Sequence, residues 1–150
     1  MTQDERRAAG LLFDPFDPQL KAQKGRAHAL SRAYSATDES DTQQRAEILS
    51  ALFAAIGDHA FIQGPLFVHY GVHTRIGTHF FGNYDLTIQD DAEVTIGDHC
   101  DFGPKVTIVT PLHPMLADER EALPLPGGAP RRLCWARPVH IGDRCWFGAG

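Results

Sequence analysis

Histidine is the side chain that most readily exchanges a proton near neutral pH, and the chain has eight histidines. One of them, His113, lies where a repeating pattern stops at Ile108 and a proline-rich stretch, residues 110–138, begins. A long stretch without evident secondary structure is typical of a functional loop beside a rigid scaffold. His113 is therefore a candidate for proton transfer, although composition alone favours a solvated loop histidine.

The pattern that stops there has a period of six. An apolar residue followed by glycine returns after six positions in three pairs: Tyr70-Gly71 with Ile76-Gly77, Ile96-Gly97 with Phe102-Gly103, and Ile141-Gly142 with Phe147-Gly148. Short strands that turn at each glycine would close a triangular coil of about eighteen residues, and stacked coils would bury a continuous core. Ile76 and Ile96 are twenty residues apart, so we expect a two-residue adjustment in one coil. The alternative is a β-sandwich of short strands.

The first 57 residues have a helical pattern instead. Capping signals mark three helix starts: Thr2 with Glu5, Asp17 before Pro18, and Asp41 with Gln44. The third helix has an apolar face that extends to Ile56, and Gly57 is expected to end it. We therefore predict an N-terminal helical segment, residues 1–57, that packs on a coil of residues 58–150.

Composition excludes several classes of function. The formal charge is −5, and no cluster of Lys and Arg would follow a phosphate backbone, so nucleic acid is not an expected partner. No apolar stretch is long enough to span a membrane, and the polar N-terminus lacks a signal peptide. The odd set of Cys100, Cys134 and Cys145 has no CxxC spacing, so we expect neither a disulfide framework nor a zinc knuckle and predict a cytoplasmic location.

Several sequence blocks resemble the galactoside/maltose O-acetyltransferases, which are hexapeptide-repeat acyltransferases. The blocks are AGLLFDPFDPQL at 9–20, YG at 70–71, IG at 76–77, FFGNYDLTIQDDAEVTIGD at 80–98, GPKVTIVTPLHP at 103–114 and PVHIGDRCWFGAG at 138–150. The resemblance covers nearly the whole chain. It implies a mainly β fold, a left-handed parallel β-helix with an N-terminal helical segment and a protruding loop.

The resemblance also implies the reaction, which is acetyl transfer from acetyl-CoA to a hydroxyl of a sugar or similar acceptor. His113, in the block LHP, matches the catalytic base of the family. A main-chain N–H near Ala149 matches the donor to the tetrahedral oxyanion, and Trp146 matches a wall of the active site that contacts both substrates. No metal is expected, and the family implies a homotrimer with each active site between two coils.

Acceptor-binding positions follow from the resemblance at Asp17, His69, Phe81, Asn83 and Asp91. Structural alternatives exist for three of them, since Asp17 suits a helix cap, Asn83 a turn and Asp91 a coil corner. Relatives usually carry Asp or Ser where this chain has His69, and Phe81 replaces a tyrosine of the sugar-binding branch. These departures also make a less polar or non-sugar acceptor an open possibility.

Two further readings remain open. γ-Type carbonic anhydrases use the same coil and bind zinc through three histidines, and His69, His73, His79 and His99 are candidates for such a site. Relatives continue past Gly150 with further coils, so we expect a chain truncated in mid-coil. An inactive scaffold is the corresponding alternative function.

Overall fold

The computed structural model describes residues 1–124 and 128–150. The chain begins with α1 (Gln3–Ala8), α2 (Pro18–Ser35) and α3 (Thr42–Leu52). Each helix starts at the predicted cap, because the side chains of Thr2, Asp17 and Asp41 accept main-chain N–H groups of the first turn. Within the described residues, no helix has both the length and the apolar character needed to cross a bilayer.

The third helix is shorter than its apolar spacing predicts. It ends at Leu52, and Phe53 is already extended. The next residues form β1 (Ala55–Ile56), where Ile56 lies in register with Ile76 of the following coil. The prediction that the helix continues to Gly57 is therefore wrong, because Ile56 packs against the core of the coil as a strand residue.

Thirteen strands follow in the order β1, β2 (Phe61–Ile62), β3 (Leu66–Val68), β4 (Thr74–Ile76), β5 (Phe81–Gly82), β6 (Leu86–Gln89), β7 (Val94–Ile96), β8 (Asp101–Phe102), β9 (Thr107–Val109), β10 (Pro111–Leu112), β11 (Trp135–Ala136), β12 (Val139–Ile141) and β13 (Trp146–Phe147). Within the described residues, eleven of these strands form three parallel sheets, which we call the first (β1, β4, β7, β12), the second (β2, β5, β8, β13) and the third (β3, β6, β9). The architecture is a triangular parallel β-helix, as predicted.

The repeat of this coil is twenty residues. Ile56, Ile76 and Ile96 lie in register, as do Ile88 and Ile108 of the third sheet. The two-residue adjustment expected once therefore recurs, and it lies where the third sheet returns to the first. We call this the wide corner (residues 69–73 and 89–93, with Thr110 and Arg137). The tight corner joins the first sheet to the second (residues 57–60, 77–80, 97–100 and 142–145).

The wide corner contains Tyr70-Gly71, which the six-residue pattern predicts to be part of a regular coil. The structure places this pair differently. Val68 fills the inward position of that strand, and the ring of Tyr70 is buried in a separate cluster with Phe13, Leu20 and Cys134. The prediction was wrong at this pair, because the two extra residues move Tyr70 out of the hexapeptide phase. The N-terminal segment therefore packs on the wide corner.

The loop of residues 110–138 leaves and re-enters at this corner, and it contains more structure than its composition predicts. β10 and β11 pair antiparallel, and α4 (Ala117–Arg120) lies between them. Cys134 forms an antiparallel bridge with Phe13 of the N-terminal segment. Residues 125–127 of the loop lie outside the described part of the chain.

Candidate active site

A buried carboxylate ties successive coils together at the wide corner. Asp90 has no exposed surface; its Oδ1 accepts the N–H of Tyr70 at 2.7 Å and its Oδ2 accepts the hydroxyl of Thr74 at 2.8 Å. Burial raises the pKa of Asp90, and these two donors and His73 oppose the shift. Asp90 thereby fixes the backbone that presents its neighbour Asp91.

Asp91 is buried without the same support. Its Oδ2 has no hydrogen-bond partner among the described residues, and only 3% of the residue is exposed. Burial raises the pKa of Asp91 to about 6, although the positive charge of Lys24 opposes the shift. Nη1 of Arg7 donates to the main-chain oxygen of Asp91 at 2.7 Å. A buried carboxylate oxygen without a partner suits a hydroxyl group that arrives with a ligand.

The N-terminal segment brings two residues that the sequence reasoning missed. Asp14 is buried and pairs with Arg131 of the loop at 2.5 Å, whereas Asp17 uses its carboxylate to cap α2. Nζ of Lys24 donates to the main-chain oxygen of Pro15 at 2.5 Å and lies 5.8 Å from the ring centroid of Tyr70. The signal for Lys24 was its place four residues after buried Leu20, which puts both on one face of the helix.

His113 follows β10 directly and is exposed. It is one residue beyond the registered pair Leu112–Trp135, and Cys134 is the residue before Trp135 on the other strand. Burial raises the pKa of the Cys134 thiol to about 12, and the charge of Asp91 adds to the effect. The wide corner thus brings His113, Cys134 and Asp91 into one region, in which Cys134 is a neutral thiol.

His69 completes this region on the side of α2. Its Nδ1 lies 3.4 Å from Nε2 of His28, so one ring donates a hydrogen bond to the other. Burial lowers the pKa of His69 to about 4, and the charges of Lys24 and His28 add to the effect. Burial also lowers the pKa of His28. Both imidazoles are therefore neutral at pH 7.

The other predicted site residues lie on the second sheet or just after it. Phe81 and Trp146 each lie in register with Asp101 on this sheet, and Trp146 is 78% exposed. Oδ1 of Asn83 accepts the N–H of Tyr84 at 2.8 Å, which is the turn role considered from the sequence. The N–H of Ala149 donates no hydrogen bond within the described part of the chain.

The two groups of candidates lie on opposite sides of the coil. In a triangular coil, the corner between the third and first sheets faces away from the second sheet. A single chain therefore brings together His69, Asp91 and His113 with the N-terminal segment, but leaves Phe81, Asn83, Trp146 and Ala149 apart from them.

The four histidines considered as zinc ligands lie in two separate places. His79 and His99 stack at the tight corner with ring centroids 4.6 Å apart, whereas His69 and His73 lie at the wide corner. Among the residues that the structure describes, no three His, Cys, Asp or Glu side chains form a group that could hold a metal ion.

Comparison with known proteins places this architecture in a family. Residues 6–57 match the family model described as the maltose acetyltransferase hexapeptide capping motif. The chain is 30% identical over 149 residues to the galactoside O-acetyltransferase of Escherichia coli, covering 99% of this chain and 69% of the relative. It is 32% identical over 140 residues to that of Lactococcus lactis, covering 93% of this chain and 63% of the relative.

Solved structures agree. A galactoside acetyltransferase in complex with coenzyme A superimposes with a TM-score of 0.87 at 30% identity, covering 99% of this chain and 70% of that one. A hexapeptide-repeat acetyltransferase from Vibrio cholerae with acetyl coenzyme A gives 0.82 at 27% identity, covering 99% and 75%. The expected left-handed β-helix is confirmed by these neighbours. The chain therefore belongs to the galactoside/maltose O-acetyltransferase family of hexapeptide-repeat acyltransferases.

Proposed function

We infer that the protein transfers an acetyl group from acetyl-CoA to a hydroxyl of a sugar or similar small acceptor. The observation that carries this proposal is the wide corner, where Oδ2 of buried Asp91 has no partner among the described residues and lies in one region with the exposed imidazole of His113. Relatives named as galactoside O-acetyltransferases, and a structural neighbour complexed with acetyl coenzyme A, support the choice of donor and of reaction.

His113 acts as the general base. A neutral imidazole takes the proton from the acceptor hydroxyl while that oxygen attacks the thioester carbonyl. The C–O bond forms, and the C–S bond breaks as the tetrahedral intermediate collapses. The imidazolium then returns its proton to the departing thiolate, so no covalent intermediate on the enzyme is needed. The exposure of His113 suits this role, because the base must reach a bound acceptor.

Residues of the second sheet complete the site. The tetrahedral oxyanion needs a fixed donor, and the N–H of Ala149 has no acceptor within the described chain that would compete for it. Trp146 is a large aromatic side chain with most of its surface exposed, which suits a wall against bound substrates. Phe81 and Asn83 face the acceptor from the same side.

The acceptor lies at the wide corner in this proposal. The free Oδ2 of Asp91 accepts one acceptor hydroxyl, and His69 and Asp17 border the same site. The carboxylate of Asp17 already accepts the main-chain N–H groups of Gln19 and Leu20 at the start of α2. Asp17 therefore contributes by holding the turn that precedes the helix. Asp14 and Lys24 join the N-terminal wall.

We assign the active form to a homotrimer. The two groups of site residues lie on opposite sides of one coil, so a neighbouring copy must supply the second group. Three flat-sided coils around a threefold axis bring the wide corner of one copy against the second sheet of the next. The cytoplasm is the proposed location, because Cys100, Cys134 and Cys145 are all free thiols.

The test is an acceptor screen with purified protein and acetyl-CoA, in which free coenzyme A is measured with a thiol reagent. Galactosides, maltose, glucose and simple alcohols are compared at equal concentration. Thiol release that depends on one acceptor class, with the O-acetylated product identified by mass spectrometry, supports the proposal. No acceptor-dependent release across the panel from a trimeric sample contradicts it.

A further inference from the structure

A cavity adjoins the candidate acceptor site. It is a groove of about 680 Å³ between α2 and the third sheet. One wall is the face of α2 that includes His28 and Ser31, together with Ala36 just after the helix, and the other includes Phe67 and Thr87. We call it the α2 groove.

The α2 groove reaches the wide corner at its inner end. His69 and Gln89 line that end, and both belong to the wide corner. The main-chain oxygen of Gln89 accepts the N–H and the hydroxyl of Thr110, three residues before His113. A molecule whose hydroxyl lies near His113 could therefore extend into the groove without leaving the site.

The walls of the groove are mostly apolar. Pro65 and the outward-facing Phe67 line it on the side of the third sheet, and half of the Phe67 surface is exposed, whereas the side chains of Leu66, Val68 and Ile88 are buried in the core of the coil. The two imidazoles at its inner end, His28 and His69, are neutral at pH 7 because burial lowers the pKa of each. Among the residues that the structure describes, Arg32 is the one charged side chain of the lining. These walls suit an uncharged, extended apolar group rather than a second polar sugar ring.

Ser31 is a polar residue of the lining. It is 5% exposed, and its Oγ is buried and has no hydrogen-bond partner among the described residues. Rotation of this side chain toward the groove would let the hydroxyl donate to an ether or glycosidic oxygen at the start of an alkyl chain.

We propose that the α2 groove binds the apolar portion of an amphiphilic acceptor, an alkyl or aryl group attached to the sugar or alcohol that is acetylated. This inference rests on the proposed function, because it places the acceptor hydroxyl beside His113 and Asp91. The natural acceptor is then a molecule with a polar head at the wide corner and an apolar tail along α2, and not a free sugar.

The experiment compares hexyl β-galactoside with methyl β-galactoside, which differ only in the tail. Binding without acetyl-CoA is measured by saturation-transfer NMR titration, and turnover is measured separately by thiol release. We expect hexyl β-galactoside to bind at least tenfold more tightly than the methyl compound and to have a correspondingly lower KM. Equal affinities for the two compounds overturn the proposal, even if both are acetylated.

Two variants, one within α2 and one at the residue that follows it, separate the groove from the rest of the helix. Ala36 is exposed and lines the groove, whereas Ala29 is exposed and lies outside its lining. Ala36→Trp should remove the advantage of the hexyl chain and leave binding of methyl β-galactoside unchanged, while Ala29→Trp should keep the advantage. Loss of the advantage in both variants, or in neither, contradicts the assignment.

Light scattering on the same samples tests the other possible occupant, a second copy of the chain. If Ala36→Trp lowers the oligomeric state and the hexyl chain gives no advantage to the unmodified protein, the groove is an interface and the proposal fails. Hexyl-selective binding without thiol release would contradict the transferase reaction but leave the groove assignment intact.

Discussion

The wide corner and the tight corner close the same coil with different kinds of residue. At the tight corner, His59, His79 and His99 stack in exposed positions, each with a positive φ between 54° and 59°. At the wide corner, two more residues per coil leave room for Asp90 and Asp91 to be buried. The N-terminal segment packs on the wide corner through Phe13 and Arg7, while α2 also packs on β3 and α3 on β1. Extra backbone length, rather than the hexapeptide pattern itself, is what makes room for a polar site.

The largest expected difference between the corners is in stability. Asp90→Ala leaves the N–H of Tyr70 and the hydroxyl of Thr74 buried without an acceptor, so we expect a loss of about 3–4 kcal/mol in the free energy of unfolding. The matched change at the tight corner is Asp98→Ala, which removes an exposed carboxylate that accepts the N–H of Thr78. Urea denaturation of both variants gives the comparison. Equal losses would mean that the wide corner has no special dependence on its buried carboxylate.

The next largest effect depends on pH. The folded-state pKa of Asp91, about 6, is above the usual value of 3.8, so folding takes up a proton between these values. Stability therefore falls as pH rises from about 4 through 6. Asp91→Asn should raise the unfolding free energy by about 2 kcal/mol at pH 8, less than the roughly 3 kcal/mol equivalent to the full pKa difference. The gain should vanish below pH 4, while turnover falls at all pH values. A gain of equal size at pH 3.5 and pH 8 would exclude ionisation of Asp91 as its cause.

The smallest effect is expected at the tight corner. His79 has a φ of 54°, a conformation that asparagine adopts more easily than most residues. His79→Asn should change the unfolding free energy by less than about 1 kcal/mol, in the stabilising direction, and leave turnover unchanged. Calorimetry and thiol release measure the two quantities. A clear loss of turnover would show that the tight corner takes part in the site.

Much of this architecture could be predicted from the sequence, because it follows from local periods. The six-residue spacing of Ile96 with Phe102 and of Ile141 with Phe147 predicted the coil. The side chains of Thr2, Asp17 and Asp41 predicted the helix starts. The twenty-residue repeat was harder to see. Its extra residues lie at the wide corner, where Tyr70-Gly71 has the same sequence pattern as a hexapeptide pair without forming one. The first strand of the coil, which contains Ile56, follows directly on a helical pattern, so the spacing assigns Ile56 to the helix.

The missing parts of the site depend on contacts distant in sequence. Asp14 and Asp17 are both followed by proline, and only the pairing of Asp14 with Arg131, 117 residues away, distinguishes the two. The antiparallel pairing of Phe13 with Cys134 likewise joins two segments that have no common pattern. Neither contact follows from local propensity, because both depend on where the loop re-enters the coil.

The central claim is that His113, in the loop that leaves the wide corner, is the base of an acetyl transfer. Its most direct test is steady-state turnover of His113→Ala, measured by thiol release from acetyl-CoA with the best acceptor of the screen. His99→Ala, an exposed histidine of the tight corner, is the matched control. We predict a fall in kcat of roughly 10²–10⁴-fold for His113→Ala, with oligomeric state and stability unchanged, and near-normal turnover for His99→Ala. Near-normal turnover of His113→Ala would contradict the assignment.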